Sequence, residues 1–259
     1  GQRLPVPPSD DEIGRLGYTL NAMLARLEEV FARERTFVSD ASHELRTPLA
    51  ILKAELELAL RGGRSADELE AALRSAAEET DRLVQLAEDL LVIARSDQGR
   101  LPIRTSTVDV RQLLDAVRER FARRAGDQNA ELQVEAAGET GIEADALRLE
   151  QAVGNLLDNA LRHGGRHVVL SARVDGDAVE VHVRDDGPGF PPAFIDTAFE
   201  RFTRADAARG RGGAGLGLAI VDAIVRAHGG TVEARNRPEG GADVWLTLPR
   251  HARAAAGDG

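Results

Sequence analysis

Cysteine is absent from all 259 residues, which removes disulfides, thiolate zinc sites, iron–sulfur clusters and cysteine nucleophiles from consideration. Lysine is almost absent: Lys53 stands alone among 33 basic residues, and the rest are arginines. Aromatic residues make up 3% of the chain, so its cores have to rest on Leu, Val, Ala and Ile. Positive charge is also in deficit. Lys+Arg of 33 against Asp+Glu of 43 leaves −10, with a pI near 5.2, which argues against a broad electrostatic grip on nucleic acid or anionic lipid. No apolar run approaches the ~18 residues of a membrane span, and no segment reads as a signal peptide. The first residue is Gly1 rather than Met, so the chain is read as part of a longer protein. Its length allows one large domain or two modest ones with real cores.

What is present divides the chain in two. Leu4-Pro5-Val6-Pro7-Pro8 excludes a helix, because successive prolines lack donors and hold their neighbours extended. Ser9-Asp10-Asp11-Glu12 then reads as a helix start, with capping side chains and acids at the positive end of the dipole. From there an apolar repeat of alternating four and three runs through Leu20, Leu24, Leu27, Phe31, Val38, Ala41, Leu45 and Leu52. Sustained over several heptads, this spacing favours a coiled-coil-like seam. Pro48 falls on the seam and is expected to kink the helix. Arg61-Gly62-Gly63-Arg64-Ser65 ends it, and Ser65 with Glu68 makes a capping box for a second helix. That helix carries the same rhythm through Leu69, Leu73, Ala76, Leu83, Ala87, Leu90 and Ala94. Two heptad helices joined by a short turn form an antiparallel hairpin too apolar to stand alone. Two hairpins make a four-helix bundle, so the expectation is a homodimer.

Asp97-Gln98-Gly99-Arg100-Leu101-Pro102 breaks the pattern, and beyond it short strands alternate with helices. Helices are expected over 110–124, 145–163 and 216–227, and strands over 132–135, 168–174, 178–183, 231–234 and 244–248. Asp175-Gly176 signals a hairpin. The fold class is therefore multidomain: an all-α helical hairpin followed by an α+β sandwich. The tail over 251–259 is expected to be disordered.

Four segments carry chemistry. In Ser42-His43-Glu44-Leu45-Arg46-Thr47-Pro48-Leu49, His43 falls at the heptad position facing away from the seam, where an imidazole is accessible as a nucleophile. Glu44 is placed to take a proton as attack proceeds, and Thr47, at i+4, to orient a water beside the imidazole. The alternative is a solvated helical histidine with no role. In Asn155-Leu-Leu-Asp158-Asn159-Ala-Leu-Arg162-His163, the residues Asn155, Asn159 and His163 share one helix face while Leu156, Leu157 and Leu161 cover the other. An amide carbonyl is a hard oxygen ligand suited to a Mg²⁺ that also holds nucleotide phosphates, and Arg162 and His163 add donors. A plain polar helix face is the alternative.

Asp185-Asp186-Gly187-Pro188-Gly189-Phe190 follows a strand. A carboxylate there can accept from an exocyclic amine, and Gly187 and Gly189 let backbone approach a planar base; an ordinary turn is the alternative. Gly210-Arg-Gly212-Gly213-Ala-Gly215-Leu216-Gly217 leads into an apolar helix, and exposed N–H groups at a helix start make a phosphate site. It is neither a Walker loop nor a Rossmann fingerprint, lacking the Lys-Ser/Thr of the one and the third glycine of the other. Phe199-Glu200-Arg201-Phe202 carries two of seven phenylalanines and is read as the anchor of a segment closing over the ligand.

Taken in order, these segments resemble the sensor histidine kinases of two-component signalling, over nearly the whole chain. Residues 42–49 are similar to the family's phospho-acceptor box, 155–163 to its N box, 185–189 to the G1 box, 199–202 to the F box and 213–217 to the G2 box. Asp11-Glu12-Ile13-Gly14-Arg15-Leu16, with Asn21-Ala22-Met23-Leu24, resembles the end of a HAMP linker. The resemblance implies a HAMP remnant over 1–25, a dimerisation and histidine-phosphotransfer hairpin over 26–97, a linker over 98–104 and an ATP-binding domain of the gyrase and Hsp90 type over 105–250. It implies that His43 takes the γ-phosphoryl group of ATP, with Mg²⁺, and passes it to an aspartate of a response-regulator receiver domain. By position, Glu44 is the acid/base, Asn159 the Mg²⁺ ligand, Asn155 a neighbouring polar group and Asp185 the adenine contact. Arg162, His163, Gly187, Gly189, Phe202, Gly213, Gly215, Leu216 and Gly217 complete the nucleotide site. Thr47 matches the position that supports dephosphorylation of the regulator. Arg162 stands where many members have lysine, and its fork is a different phosphate ligand. The implied setting is the cytoplasmic portion of a bacterial inner-membrane sensor. His43 and the nucleotide loops lie on separate domains, so the nucleotide domain is expected to swing onto the bundle, with motion of the first helix near Pro48 setting the balance of activities. A non-catalytic nucleotide-binding scaffold and an ATP-driven clamp are the rivals. Intact His43, Glu44, Asn159 and Asp185 weigh against the first. Asn155, where such clamps use a water-activating glutamate, weighs against the second.

Overall fold

A computed structural model describes residues 12–60, 65–136, 138, 140–204 and 214–251. The helix start at Ser9, the turn before Ser65, Gly213 and nearly all of the C-terminal tail lie outside those residues. The chain divides into two compact units, Gly1–Val84 and Gln85–Gly259.

The first unit is helical. Helix α1 (Glu12–Leu60) runs for 49 residues and continues through Pro48, which is buried. Helix α2 (Ala66–Asp97) opens with the expected capping box: the Glu68 N–H donates to Ser65 Oγ at 3.2 Å and the Ser65 N–H donates to Glu68 Oε2 at 2.8 Å. Both orphan donors are thereby satisfied. Ser75 Oγ donates to Glu55 Oε1 at 2.6 Å and ties the two helices together. Of the α1 seam, Leu24, Ala41, Leu45 and Leu52 are half-buried within one chain, and Leu20, Leu27, Phe31 and Val38 are exposed. Along α2 the expected rhythm holds only in part. Ala76 is buried, but in the last third it is Leu86, Val92 and Ile93 that are buried, not Ala87 or Leu90. The reason is that residues 85–97 belong to the second unit and turn a different face to it.

That unit continues with β1 (Ser106–Asp109), α3 (Val110–Asp127), β2 (Glu131–Ala136), β3 (Gly141–Ala144), α4 (Ala146–His163), β4 (His167–Asp175), β5 (Ala178–Asp185), α5 (Pro192–Ile195), α6 (Gly217–Ala227), β6 (Thr231–Asn236) and β7 (Ala242–Pro249). Five strands form one sheet in the order β2-β4-β5-β7-β6, with β2 and β4 parallel and the other pairs antiparallel. The hairpin of β4 and β5 turns at Gly176-Asp177, one residue later than the sequence signal, with Gly176 at φ +59°. Strands β1 and β3 pair separately. They escape a reading by alternation because each has four residues, too few for a period of two to register. Helices α3, α4 and α6 cover the sheet face that carries Leu170, Val181, Val183, Val244 and Leu246, and their own buried side chains, such as Leu114, Leu157 and Ile220, complete the core.

The opposite sheet face covers itself. His182 is buried between Asp243, at 2.8 Å from Nδ1, and Glu180, at 3.3 Å from Nε2, and its ring stacks on Trp245 at 5.7 Å. Burial works to raise the Asp243 carboxyl, but His182, Arg235 and Arg184 outweigh it and hold the group below its ordinary range.

Candidate active site

His43 is exposed on α1, Glu44 is half-buried and Thr47 is exposed, while Pro48 is buried on the other side of the helix. This is the outward placement that the heptad count gives. The Thr47 hydroxyl donates to the His43 carbonyl at 3.5 Å, and Ser42 Oγ donates to the Val38 carbonyl at 2.7 Å. These three candidate residues lie in the first unit, and the remaining ones lie in the second.

In the second unit α4 is the organising element. Asp145 caps it, accepting from the Arg148 N–H at 3.2 Å, and Leu156, Leu157 and Leu161 anchor it in the core. The opposite face presents Asn155, Asn159 and His163 at i, i+4 and i+8. Asn155 Nδ2 donates to the Gly217 carbonyl at 3.4 Å, which joins the middle of α4 to the first residue of α6. The Asn159 amide makes no hydrogen bond to another described residue, so its oxygen is open to a ligand. Arg162 Nη2 donates to Asp158 Oδ2 at 2.7 Å, and Asp158 also pairs with Arg124. Its guanidinium is thus turned along its own helix. His163 titrates below its ordinary value because desolvation and the neighbouring Arg162 oppose its charge, so near neutral pH it faces its surroundings as a neutral donor and acceptor.

The last turn of α4 runs directly into the Asp185 loop. A Cβ on Gly164 would sit 2.9 Å from the Asp185 Cβ, and one on Gly187 would sit 2.7 Å from the Gly165 nitrogen. Only glycine backbones fit this approach, which is why the G1-like segment needs its glycines as packing surfaces. Asp185 ends β5 and is 7% exposed. Its Oδ1 accepts from the Gly187 N–H at 2.9 Å and the Ala242 N–H at 3.3 Å, and Oδ2 has no hydrogen-bond partner among the described residues. Burial raises this carboxyl above its ordinary value, and the two N–H donors oppose the rise. Asp186 behaves oppositely. It accepts from the His167 N–H at 2.9 Å and faces His167 Nδ1 at 2.9 Å, and these bonds lower it. Two neighbouring carboxylates are thereby set apart: one faces inward with an open oxygen, and the other fastens the loop.

The glycine-rich segment is described from residue 214. Leu216 precedes α6 and makes no side-chain cap, so the first N–H groups of α6 are not taken by a capping side chain. Gly215 has φ +72°, and a Cβ there would come within 2.9 Å of the Phe202 carbonyl carbon and the Thr203 oxygen. Phe202 itself has φ +57°, a left-handed conformation that a phenylalanine adopts at a cost. Gly215 thus packs on Phe202, Gly217 meets Asn155 of α4, and Asp185 and Gly187 pack against Gly164 at the end of α4.

Among the described residues no cluster of three His, Cys, Asp or Glu could hold a metal ion. The amide oxygen of Asn159 is a hard donor that would suit a Mg²⁺.

Residues 144–252 match the family described as histidine kinase-, DNA gyrase B-, and HSP90-like ATPase, and residues 33–99 match the His Kinase A (phospho-acceptor) domain. The sensor protein IrlS of Burkholderia pseudomallei is 36% identical over 255 residues, covering 97% of this chain and 54% of that protein. The solved histidine kinase AdeS of Acinetobacter baumannii superposes with a TM-score of 0.69 at 26% identity, covering 80% of this chain and 98% of AdeS. The mycobacterial sensor histidine kinase MprB, at 32% identity and a TM-score of 0.51, is covered over 100% of its solved chain by 57% of this one. The chain belongs to the sensor histidine kinases. It spans about half the length of the curated relatives it matches, and no helix among its described residues is long and apolar enough to cross a membrane.

This sensor histidine kinase also contains site residues that no motif announced. Asn236 Oδ1 accepts from the Phe190 N–H at 2.7 Å while Nδ2 donates to the Phe190 carbonyl at 2.8 Å. Arg237 Nη1 donates to the Asp185 carbonyl at 2.9 Å. His228 Nε2 accepts from the Asp145 N–H at 3.0 Å and links the end of α6 to the start of α4, and Asp145 Oδ2 takes the Arg104 N–H at 2.9 Å. Arg201, between the two phenylalanines, forms a two-pronged pair with Asp97 at the end of α2, one prong at 2.6 Å. Gly240-Gly241 before β7 was the one visible sign of the first pair, and alone it reads as an ordinary turn.

Proposed function

We propose that this chain is the catalytic portion of a sensor kinase that phosphorylates itself on His43 from ATP–Mg²⁺, passes the group to a response-regulator aspartate, and also removes it from that regulator. The observation that carries the reading is Asp185. A carboxylate buried at a strand end spends one oxygen on two backbone donors and keeps the other open beside glycine backbone. That oxygen is an acceptor for the exocyclic amine of adenine, in a chain that also exposes a histidine beside a glutamate.

In the first step an imidazole nitrogen of His43 bonds to the γ-phosphorus of ATP. The bond from that phosphorus to its bridging oxygen breaks, and ADP leaves with the electron pair. Glu44 takes the proton from the other ring nitrogen. Asn159 would hold a Mg²⁺, whose charge would neutralise that of the phosphates, and Asn155, Arg162, His163 and the N–H groups at the start of α6 would orient them. Positioning and charge neutralisation are the main work of the protein in such a transfer. In the second step the N–P bond breaks as an aspartate oxygen of the receiver domain takes the phosphoryl group. In the reverse sense Thr47 orients a water for hydrolysis of the aspartyl phosphate. The domain limits in this reading are 1–25 for a HAMP remnant, 26–97 for the dimeric phosphotransfer hairpin, 98–104 for the linker and 105–250 for the ATP-binding domain, within a longer membrane-anchored sensor.

Incubation with γ-labelled ATP and Mg²⁺ tests the reading. Acid-labile, base-stable label is expected on the wild type and none on His43→Gln. Thr47→Ala is expected to keep autophosphorylation within about threefold while losing most hydrolysis of the phosphorylated regulator. Label on His43→Gln, or none on a wild type that binds ATP, contradicts it.

A further inference from the structure

The Asp185 loop is held from behind by a hairpin that belongs to none of the recognised boxes. Strand β6 ends at Asn236 and β7 begins at Ala242. The turn between them is closed by the Arg237 N–H donating to the Gly241 carbonyl at 2.9 Å and the Gly240 N–H donating to the Arg237 carbonyl at 3.1 Å. From this turn two side chains reach back to the loop at opposite ends. Asn236 grips Phe190 by both its N–H and its carbonyl, which fixes the amide in one orientation and places Phe190 against β6. Gly189, at φ +74°, makes room for that grip, since a Cβ there would lie 2.6 Å from Asn236 Oδ1. Arg237 takes the near end through its 2.9 Å bond to the Asp185 carbonyl. Its other nitrogens hold Glu239, at 3.1 Å from Nε and 2.6 Å from Nη2. Gly241, at φ +86°, lies flush against Asp185, with 2.9 Å between its Cβ position and the Asp186 Cα.

We propose that the hairpin joining β6 and β7 is the positioning element for base recognition, Asn236 fixing the far end of the Asp185 loop and Arg237 fixing Asp185 itself. The inference rests on the reading of Asp185 as the base contact. Arg237 has a second effect on the same group. Its charge acts on the Asp185 carboxyl and opposes the burial and the neighbouring Asp186, both of which favour protonation. His163 on α4 is the other titratable side chain interacting with Asp185, and it is neutral near neutral pH. The open oxygen accepts from an amine best when the carboxyl is ionised, so Arg237 fixes where that oxygen stands and, alongside the Gly187 and Ala242 N–H donors, favours the ionised form. Asn236 and Arg237 touch no ligand in this scheme; they act through Asp185 and Phe190, and are positioning residues.

The test is ATP affinity by calorimetry on the full chain, from pH 5.5 to pH 8.5, for wild type, Arg237→Gln, Arg237→Lys and Asp185→Asn. Thermal melts of the unliganded proteins run alongside. Wild type is expected to lose affinity as the pH falls and Asp185 takes up a proton. Arg237→Gln is expected to bind about tenfold more weakly at pH 7.5 and to lose affinity at a higher pH than wild type does. A purely structural role would weaken binding without moving that limb. Arg237→Lys keeps the charge and loses the fork, so its limb should stay with the wild type while its affinity is reduced. If Arg237→Gln does not fold, the lysine variant decides, and wild-type affinity in it overturns the proposal. Wild-type affinity and limb in Arg237→Gln also overturn it. If Asp185→Asn binds ATP like wild type, the base-contact reading itself fails. If Asp185→Asn loses binding and Arg237→Gln does not, the positioning role alone is wrong.

Discussion

The side chains that matter most here are those whose environment opposes their charge. Asp89, on the part of α2 that belongs to the second unit, is pushed up to about 6 from an ordinary 3.8 because burial outweighs the hydrogen bonds from Gln85 and Gln151. Gln151 is itself oriented by Arg148, whose Nη1 donates to its oxygen at 3.0 Å, leaving the amide nitrogen for the carboxylate. A carboxyl with a raised folded-state pKa contributes stability that is complete below about pH 4 and is lost as the pH rises through 6. Near pH 7.5 the charged form therefore costs up to about 2–3 kcal/mol. Asp89→Asn, which cannot ionise, is expected to unfold at a higher denaturant concentration than wild type at pH 7.5, by a margin that shrinks as the pH falls and vanishes below about pH 4. A constant difference across that range would show that the substitution acts through packing. Asp89 could not be singled out in the sequence, because Glu and Asp recur throughout α2 and only the fold buries this one. His43, Asn159 and Asp185 were legible because each sits in a string whose spacing carries its chemistry locally. Asn236 and Arg237 were not, since they meet their partners across 46 and 52 positions.

Among the elements, legibility follows length and local punctuation. Helix α2 was readable at its start because Ser65 and Glu68 satisfy each other's neighbours within one turn. Its last third was legible only in part: Leu90 and Ala94 are half-buried as the count expects, but Leu86, Val92 and Ile93, in residues that belong to the second unit, are buried more deeply. Strands β1 and β3 each had too few residues to show a pattern, and α5 has four residues beginning on Pro192. The capping box yields a separable prediction. Ser65→Ala removes the acceptor for the Glu68 N–H at an exposed helix end and is expected to cost about 1 kcal/mol of stability. Ser65→Asp, which restores an acceptor and adds a charge at the positive end of the helix, is expected to recover it. Chemical denaturation of the two variants decides, and equal stability of Ser65→Ala and wild type would mean that the helix start is not part of the cooperative unit.

At the scale of the whole molecule, the proposed reading gives the two units complementary halves of one chemistry, a histidine on one and a nucleotide site on the other. What a single chain leaves unfinished is its apolar seam. Leu20, Leu27, Phe31 and Val38 are 42%, 50%, 53% and 57% exposed, on positions spaced by the same four-three rhythm that half-buries Leu24, Ala41 and Leu45. Burying such side chains fully is worth about 1.5–3 kcal/mol each, and a second copy presenting the same stripe related by a twofold axis offers a self-complementary cover. A glutamate at the centre of that stripe would face its own copy across the axis, adding like-charge repulsion to the lost burial. Leu27→Glu with Phe31→Glu is therefore expected to halve the sedimenting mass from twice 27.8 kDa to one chain at micromolar concentration. Both changes lie in the helical unit, whereas Asp185 and Asn159 belong to the other, so ATP affinity of the double variant should match wild type. A variant that stays at twice the chain mass would place the dimer contact elsewhere, and one that also loses ATP binding would show that the second unit depends on the bundle for its fold.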